Sequence, residues 1–128
     1  AHSHLRDIIK KIAEQGKTLI VTTDHGSIRV KKPSKVVGDR NTNSNLRYKQ
    51  GKKLDFNPKE VFEIARPEEA FLPKPNVSTR YIFATKESYF VYPNNYNHFV
   101  NFYKDTFQHG GVSMEEILCP FAVLKPKG

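Results

Sequence analysis

Leu5-Arg-Asp-Ile-Ile-Lys-Lys-Ile-Ala13, a glycine at position 16, and then Thr18-Leu-Ile-Val-Thr-Thr-Asp-His-Gly26 decide what kind of fold this chain can build. Leu5, Ile8, Ile9, Ile12 and Ala13 recur at the spacing that gives a helix one buried stripe. Ser3 can cap its start and Gly16 fits just past its end, so a helix is expected over Ser3 to Gln15. Thr18 to Thr23 is uncharged and β-branched, which reads as a strand buried on both faces, as central parallel strands are. Helix, glycine turn and inner strand form the unit of a layered α/β fold, in which ligands sit outside the carboxyl ends of strands.

Downstream, Ser27 to Val37 alternates apolar and charged residues around Pro33 and suggests short extended segments. Asp39 to Lys53 is polar and rich in turn residues, and Asn57 to Pro75 mixes apolar and acidic residues with four prolines. Loops and an irregular excursion are expected there. Tyr81 to Thr85 and Tyr89 to Tyr92 are aromatic and β-branched on either side of Lys86-Glu87-Ser88, the pattern of a hairpin. Tyr96, Phe99, Val100 and Tyr103 fall at helical spacing within Tyr96 to Phe107. Ser113-Met-Glu-Glu116 is a capping box that starts a short helix, and Phe121 to Leu124 reads as a last strand.

With 128 residues the chain is expected to form a single domain. Its one cysteine, Cys119, cannot form an internal disulfide, and no apolar run approaches the roughly 18 residues of a membrane span. A cytoplasmic protein without a membrane segment is the expectation. The net charge of +8 favours polyanionic partners. Basic residues gather at Lys31, Lys32 and Lys35 and at Arg47, Lys49, Lys52 and Lys53, which reads either as a solvated basic loop or as phosphate-directed contacts.

Asp24-His25-Gly26 stands at the end of the expected strand. A carboxylate and an imidazole side by side on a strand end can face one divalent ion, zinc or manganese among them, and Gly26 lets the backbone turn away. The other reading is a strand-terminating turn. Gln108-His109-Gly110-Gly111 places a histidine among glycines, open to close approach by metal or substrate, or else a plain loop before a helix cap. His98 reads as packing, and His2 and His4 as terminal residues without a role.

Thr22-Thr-Asp-His-Gly26, Lys35-Val-Val-Gly-Asp39, Asn45-Leu-Arg-Tyr-Lys49, Gly51-Lys52 and Phe107 to Glu116 resemble, in order, blocks of the PglZ domain of the alkaline phosphatase superfamily. The resemblance is nearest to the PglZ domain behind the receiver domain of PorX-type response regulators in two-component systems. It implies an α/β fragment of a layered fold with a central sheet, flanking helices and an irregular β-rich excursion, the C-terminal part of such a domain spanning 1–128. It further implies a two-ion centre of zinc or manganese with Asp24, His25 and His109 among the ligands. The implied chemistry is hydrolysis of a phosphate ester, with a nucleotide or oligonucleotide as substrate. Arg40 and Arg47 are candidates to hold substrate phosphate, since a guanidinium gives phosphate two parallel hydrogen bonds, although either can equally be structural.

The superfamily's nucleophile and remaining metal ligands precede its Asp-His strand, and the residues before Asp24 offer no nucleophile block. The chain alone is therefore expected to bind metal weakly, to lack turnover, and to self-associate as a homodimer or swapped dimer through an exposed sheet edge. Two other readings stand beside the enzymatic one. The first is a regulatory or scaffolding domain acting through protein contacts. The second is a basic nucleic-acid-binding module using Tyr48, Tyr81 and Phe90 near basic residues.

Overall fold

A computed structural model describes residues 3–127. The chain divides into two compact units, one made of the residues up to Gly26 with those from Leu118 onward, the other Ser27–Ile117.

In the first unit the expected helix forms as α1 (His4–Glu14). Ser3 occupies the cap position, without a hydrogen bond from its side chain. At the other end Gly16 adopts φ +68°. Its amide reaches the Ala13 carbonyl at 2.9 Å and that of Lys17 reaches Ile12 at 3.2 Å. This paired closure satisfies the last carbonyls of the helix and requires the left-handed conformation that glycine adopts without cost.

The strand after it is β1 (Leu19–Thr22), but it is not an inner parallel strand. It pairs antiparallel with one partner, β9 (Phe121–Leu124), from Leu19 opposite Leu124 to Thr22 opposite Phe121. Its burial alternates and Ile20 is 56% exposed, so its apolar run is half-exposed rather than covered on both faces.

In the second unit, β2 (Ile28–Arg29) pairs with β8 (Phe107–Gln108). The strand β3 (Lys32–Lys35) pairs parallel with β7 (Ser88–Val91). Pro33 is tolerated because β3 has a partner on one side only, where a missing amide costs no ladder bond. A three-stranded antiparallel sheet sets β6 (Arg80–Ala84) between β4 (Tyr48–Gly51) and β5 (Val61–Ile64). Among the described residues no single central sheet forms; four small sheets share the strands.

Both strands of the expected hairpin are present, yet they do not pair with each other. Ala84 donates its amide to the Arg47 carbonyl and Phe90 donates to Leu46, each at 2.8 Å. The Leu46 and Arg47 carbonyls take the hydrogen bonds that a hairpin partner would have taken and steer β6 and β7 into different sheets.

That split builds two cores from alternate residues of β7. Tyr89 and Val91 pack with Ile28 and Val30 against α2 (Tyr96–Tyr103). Phe90 packs with Val36, Ile82 and Ala84 under Leu54, Phe56 and Val61. Val30, Val36 and Ile82 are sealed from solvent, and each such side chain stabilises the fold by about 1.5–3 kcal/mol. The short helix α3 (Met114–Ile117) starts at the expected capping box.

Candidate metal and phosphate site

Asp24 and His25 follow β1 after Thr23, and β1 is fixed against β9 by the Thr22 hydroxyl, which donates to the Pro120 carbonyl at 2.8 Å. The His25 ring nitrogen Nδ1 lies 2.7 Å from the Gly26 carbonyl oxygen. A carbonyl can only accept, so Nδ1 carries the proton and the lone pair of the neutral ring lies on Nε2. Metal-binding histidines are commonly oriented by this kind of backbone bond. Nε2 is 3.7 Å from Oδ1 of Asp24. Two ligands on one tetrahedral ion stand roughly 3.3 Å apart at ordinary bond lengths, so the donor pair is close to that span. The Asp24 side chain is 91% exposed, open to an incoming ion. Asp24 and His25 therefore fit a divalent cation by donor type, tautomer and spacing.

His109 belongs to the other unit, between β8 and α3, and its loop is built with care. Its carbonyl accepts from the Asn45 side-chain amide at 3.4 Å. Asn45 Oδ1 in turn accepts the amides of Arg47 at 2.7 Å and Tyr48 at 3.2 Å. Gly110 has φ +101°, and a Cβ there would meet Asn45 Nδ2 at 2.8 Å. A Cβ on Gly111 would meet Glu116 Oε2 at 2.6 Å. The glycines beside His109 are therefore required by Asn45 and Glu116, which favours the reading of this stretch as a loop before a helix cap.

Glu116 holds this loop. Its carboxylate accepts the Gly111 amide at 2.9 Å, the Ser113 amide at 3.2 Å and the Ser113 hydroxyl at 2.7 Å. Half of the expected capping box is thus present, with the glutamate reaching back to the cap amide. The serine hydroxyl donates to the carboxylate instead of accepting the amide of Glu116, which goes to the Ser113 carbonyl at 3.0 Å.

Arg47 completes the arrangement. Its Nε and Nη2 meet Oε1 and Oε2 of Glu116 at 2.8 and 2.9 Å, and Nη1 donates to the Ser88 carbonyl. The two side chains are 0% and 1% exposed. Of the two roles open to Arg47, phosphate ligand or structural arginine, its geometry is that of the second. Burial pushes the Glu116 carboxyl up, but hydrogen bonds from Arg47, Ser113 and the Gly111 amide outweigh it and hold the group below its ordinary value. Arg40 is exposed in the turn after β3.

The basic cluster at 47–53 divides. Lys52 and Lys53 are exposed, whereas Arg47 and Lys49 are buried. Tyr81 and Phe90 are core residues and offer no open stacking platform. Sequence reading took Glu116 for a helix cap and Lys49 for a loop cation. Nothing local marks either, because Glu116 meets its cation 69 residues away.

The chain is a mixed α/β protein in which an acid–imidazole pair lies just past a strand. The chain matches the family model of the BREX system PglZ alkaline phosphatase-like domain over residues 1–124, and it belongs to that family. Membership brings a phosphoesterase-type fold and phosphoester substrates as a class. No curated protein matches the chain. Among the described residues no helix is long and apolar enough to cross a membrane.

Proposed function

We propose that the chain forms part of a metal-dependent phosphoesterase acting on a nucleotide or oligonucleotide phosphodiester, in a bacterial signalling protein that also carries a receiver domain. Asp24, His25 and His109 are its metal ligands, for zinc or manganese. The observation that carries the reading is His25, whose Nδ1 is committed to the Gly26 carbonyl while Nε2 stands beside Asp24 Oδ1. When bound, paired ions stabilise the attacking and leaving oxygens of a phosphoryl group and neutralise its charge.

The residues of this chain have distinct tasks in that reaction. Gly26 orients His25 through its carbonyl. Asp24 supplies negative charge at an exposed strand end. The backbone around His109 is held by Asn45 and Glu116, so this loop needs little ordering when a cation arrives. Arg40, which is exposed, is the remaining arginine of the pair for substrate phosphate. Three ligands are fewer than a two-ion centre takes, so the reading calls for further ligands beyond these residues, and for weak metal binding and no useful turnover by the chain alone.

The test is zinc and manganese content of the purified chain after soaking and desalting, with Asp24→Ala and His109→Ala beside it. Bound metal that falls in both variants supports the reading. Metal retained equally by the parent chain and both variants removes these residues from the ligand set. Hydrolysis of bis(p-nitrophenyl) phosphate well above background by the chain alone would overturn the expected lack of turnover.

A further inference from the structure

Lys49 is a lysine in a core position. It lies on β4 and is 1% exposed. Its ammonium donates to the Asn43 carbonyl at 2.9 Å and sits 5.0 Å above the ring of Tyr92. Among the described residues no carboxylate lies within ion-pair distance of it, unlike Arg47 two residues earlier. An ammonium has three donors, so this one has capacity for an acceptor beyond Asn43. Burying a cation without a counter-charge is costly, and a fold that keeps one there is one in which a binding partner is worth seeking.

Lys49 lines a cavity of about 190 Å³. The other walls are mainly apolar and aromatic, among them Leu46, Phe90 and Phe99, with hydroxyls on Ser44, Tyr92 and Tyr103. None of Asp24, His25 and His109 contributes to it. The volume is below the roughly 300 Å³ at which drug-sized pockets begin, so the occupant is small. One cation set among mainly apolar walls suits a single negative charge. A phosphate dianion would bring a second negative charge that has no cation to meet it in these walls.

We propose that this cavity binds a small monocarboxylate with an aromatic or branched apolar body, its carboxylate on the Lys49 ammonium and its body against Phe99 and Tyr103. Cation, hydroxyls and apolar walls then each meet a matching part of the ligand. The site is separate from the proposed metal ligands and adds a ligand input to the same unit that carries His109. Desolvation by burial lowers Lys49 from 10.5 to about 8, so the ammonium is still the main form at neutral pH and an arriving anion meets a charge.

Titration of the 128-residue chain with phenylacetate, followed by amide chemical shifts and by calorimetry, tests this. Saturable binding is expected, with shifts at Leu46, Tyr92 and Phe99. The neutral isostere phenylacetamide should bind about tenfold more weakly or worse, as should phenylacetate to Lys49→Met. The parent chain with the two probes decides the matter even if the variant fails to fold. No binding at 10 mM on the order of weak fragment affinity, equal binding of the two probes, or shifts confined to other surfaces would overturn the proposal.

Discussion

The Arg47 guanidinium meets the Glu116 carboxylate through two parallel hydrogen bonds, Nε to Oε1 at 2.8 Å and Nη2 to Oε2 at 2.9 Å, with both side chains closed to solvent. The pair joins the Leu46–Arg47 segment, whose carbonyls separate β6 from β7, to the loop that carries His109.

Removing either partner strands a buried charge. Arg47→Met or Glu116→Gln should each cost about 3–5 kcal/mol in urea denaturation. The double variant should cost clearly less than the sum, because it leaves neither charge unmatched. Additive losses would mean that the two groups do not act as a pair.

Glu116 also ties stability to acid. Its folded carboxyl lies below the ordinary 4.5, so the stabilisation is present above that value and disappears as pH falls through the folded value. Urea midpoints measured downward from pH 6 should fall, and the Glu116→Gln chain should lack this part of the fall.

Lys49 has the opposite effect on the alkaline side. With a folded value of about 8 against 10.5, the folded state binds fewer protons between those limits, so stability should rise with pH across that window. The full rise is about 3 kcal/mol. Tyr81 and Tyr89, raised by burial, oppose it only from about pH 10 upward. Urea midpoints between pH 8 and 10 should increase for the parent chain and stay level for Lys49→Met.

The glycines after His109 should resist change for different reasons. Gly110→Ala combines a left-handed φ of +101° with a contact on Asn45, whereas Gly111→Ala meets a carboxylate that cannot move without releasing Arg47. Each should cost about 1–3 kcal/mol. Asn45→Ala should recover part of the Gly110→Ala loss and none of the Gly111→Ala loss, which thermal melts of the parent chain, the single variants and the two double variants would resolve.

Local rules made some of this readable. The stripe from Leu5 to Ala13, the glycine past its end and the uncharged run after it fixed α1 and β1, because those signals depend on near neighbours alone. Family membership was likewise legible in ordered blocks. The pairing of β1 was not, since an apolar run cannot say whether one partner or two will cover it. The lost hairpin and the hidden strand β4 share one cause. Leu46 and Arg47 supply backbone partners to Phe90 and Ala84 from about forty residues away, and β4 buries a lysine within a polar stretch that reads as loop. Of the proposed metal ligands, Asp24, His25 and His109 stood out by residue type. Glu116 did not, because its importance lies in a partner that only the folded chain brings near.

The separation of 69 residues between Arg47 and Glu116 also bears on how the protein is made. A ribosome adding about 5–20 residues per second releases the arginine seconds before its carboxylate exists. During that interval the chain between Ser27 and Glu115 can gather its apolar residues but has no counter-charge for the guanidinium, so the closed arrangement waits for α3. Assembly that depends on contacts this distant along the chain belongs to the slow, millisecond-to-second range. Nascent chains stalled before Glu116 should accordingly remain open to protease, and those extended past it should become resistant.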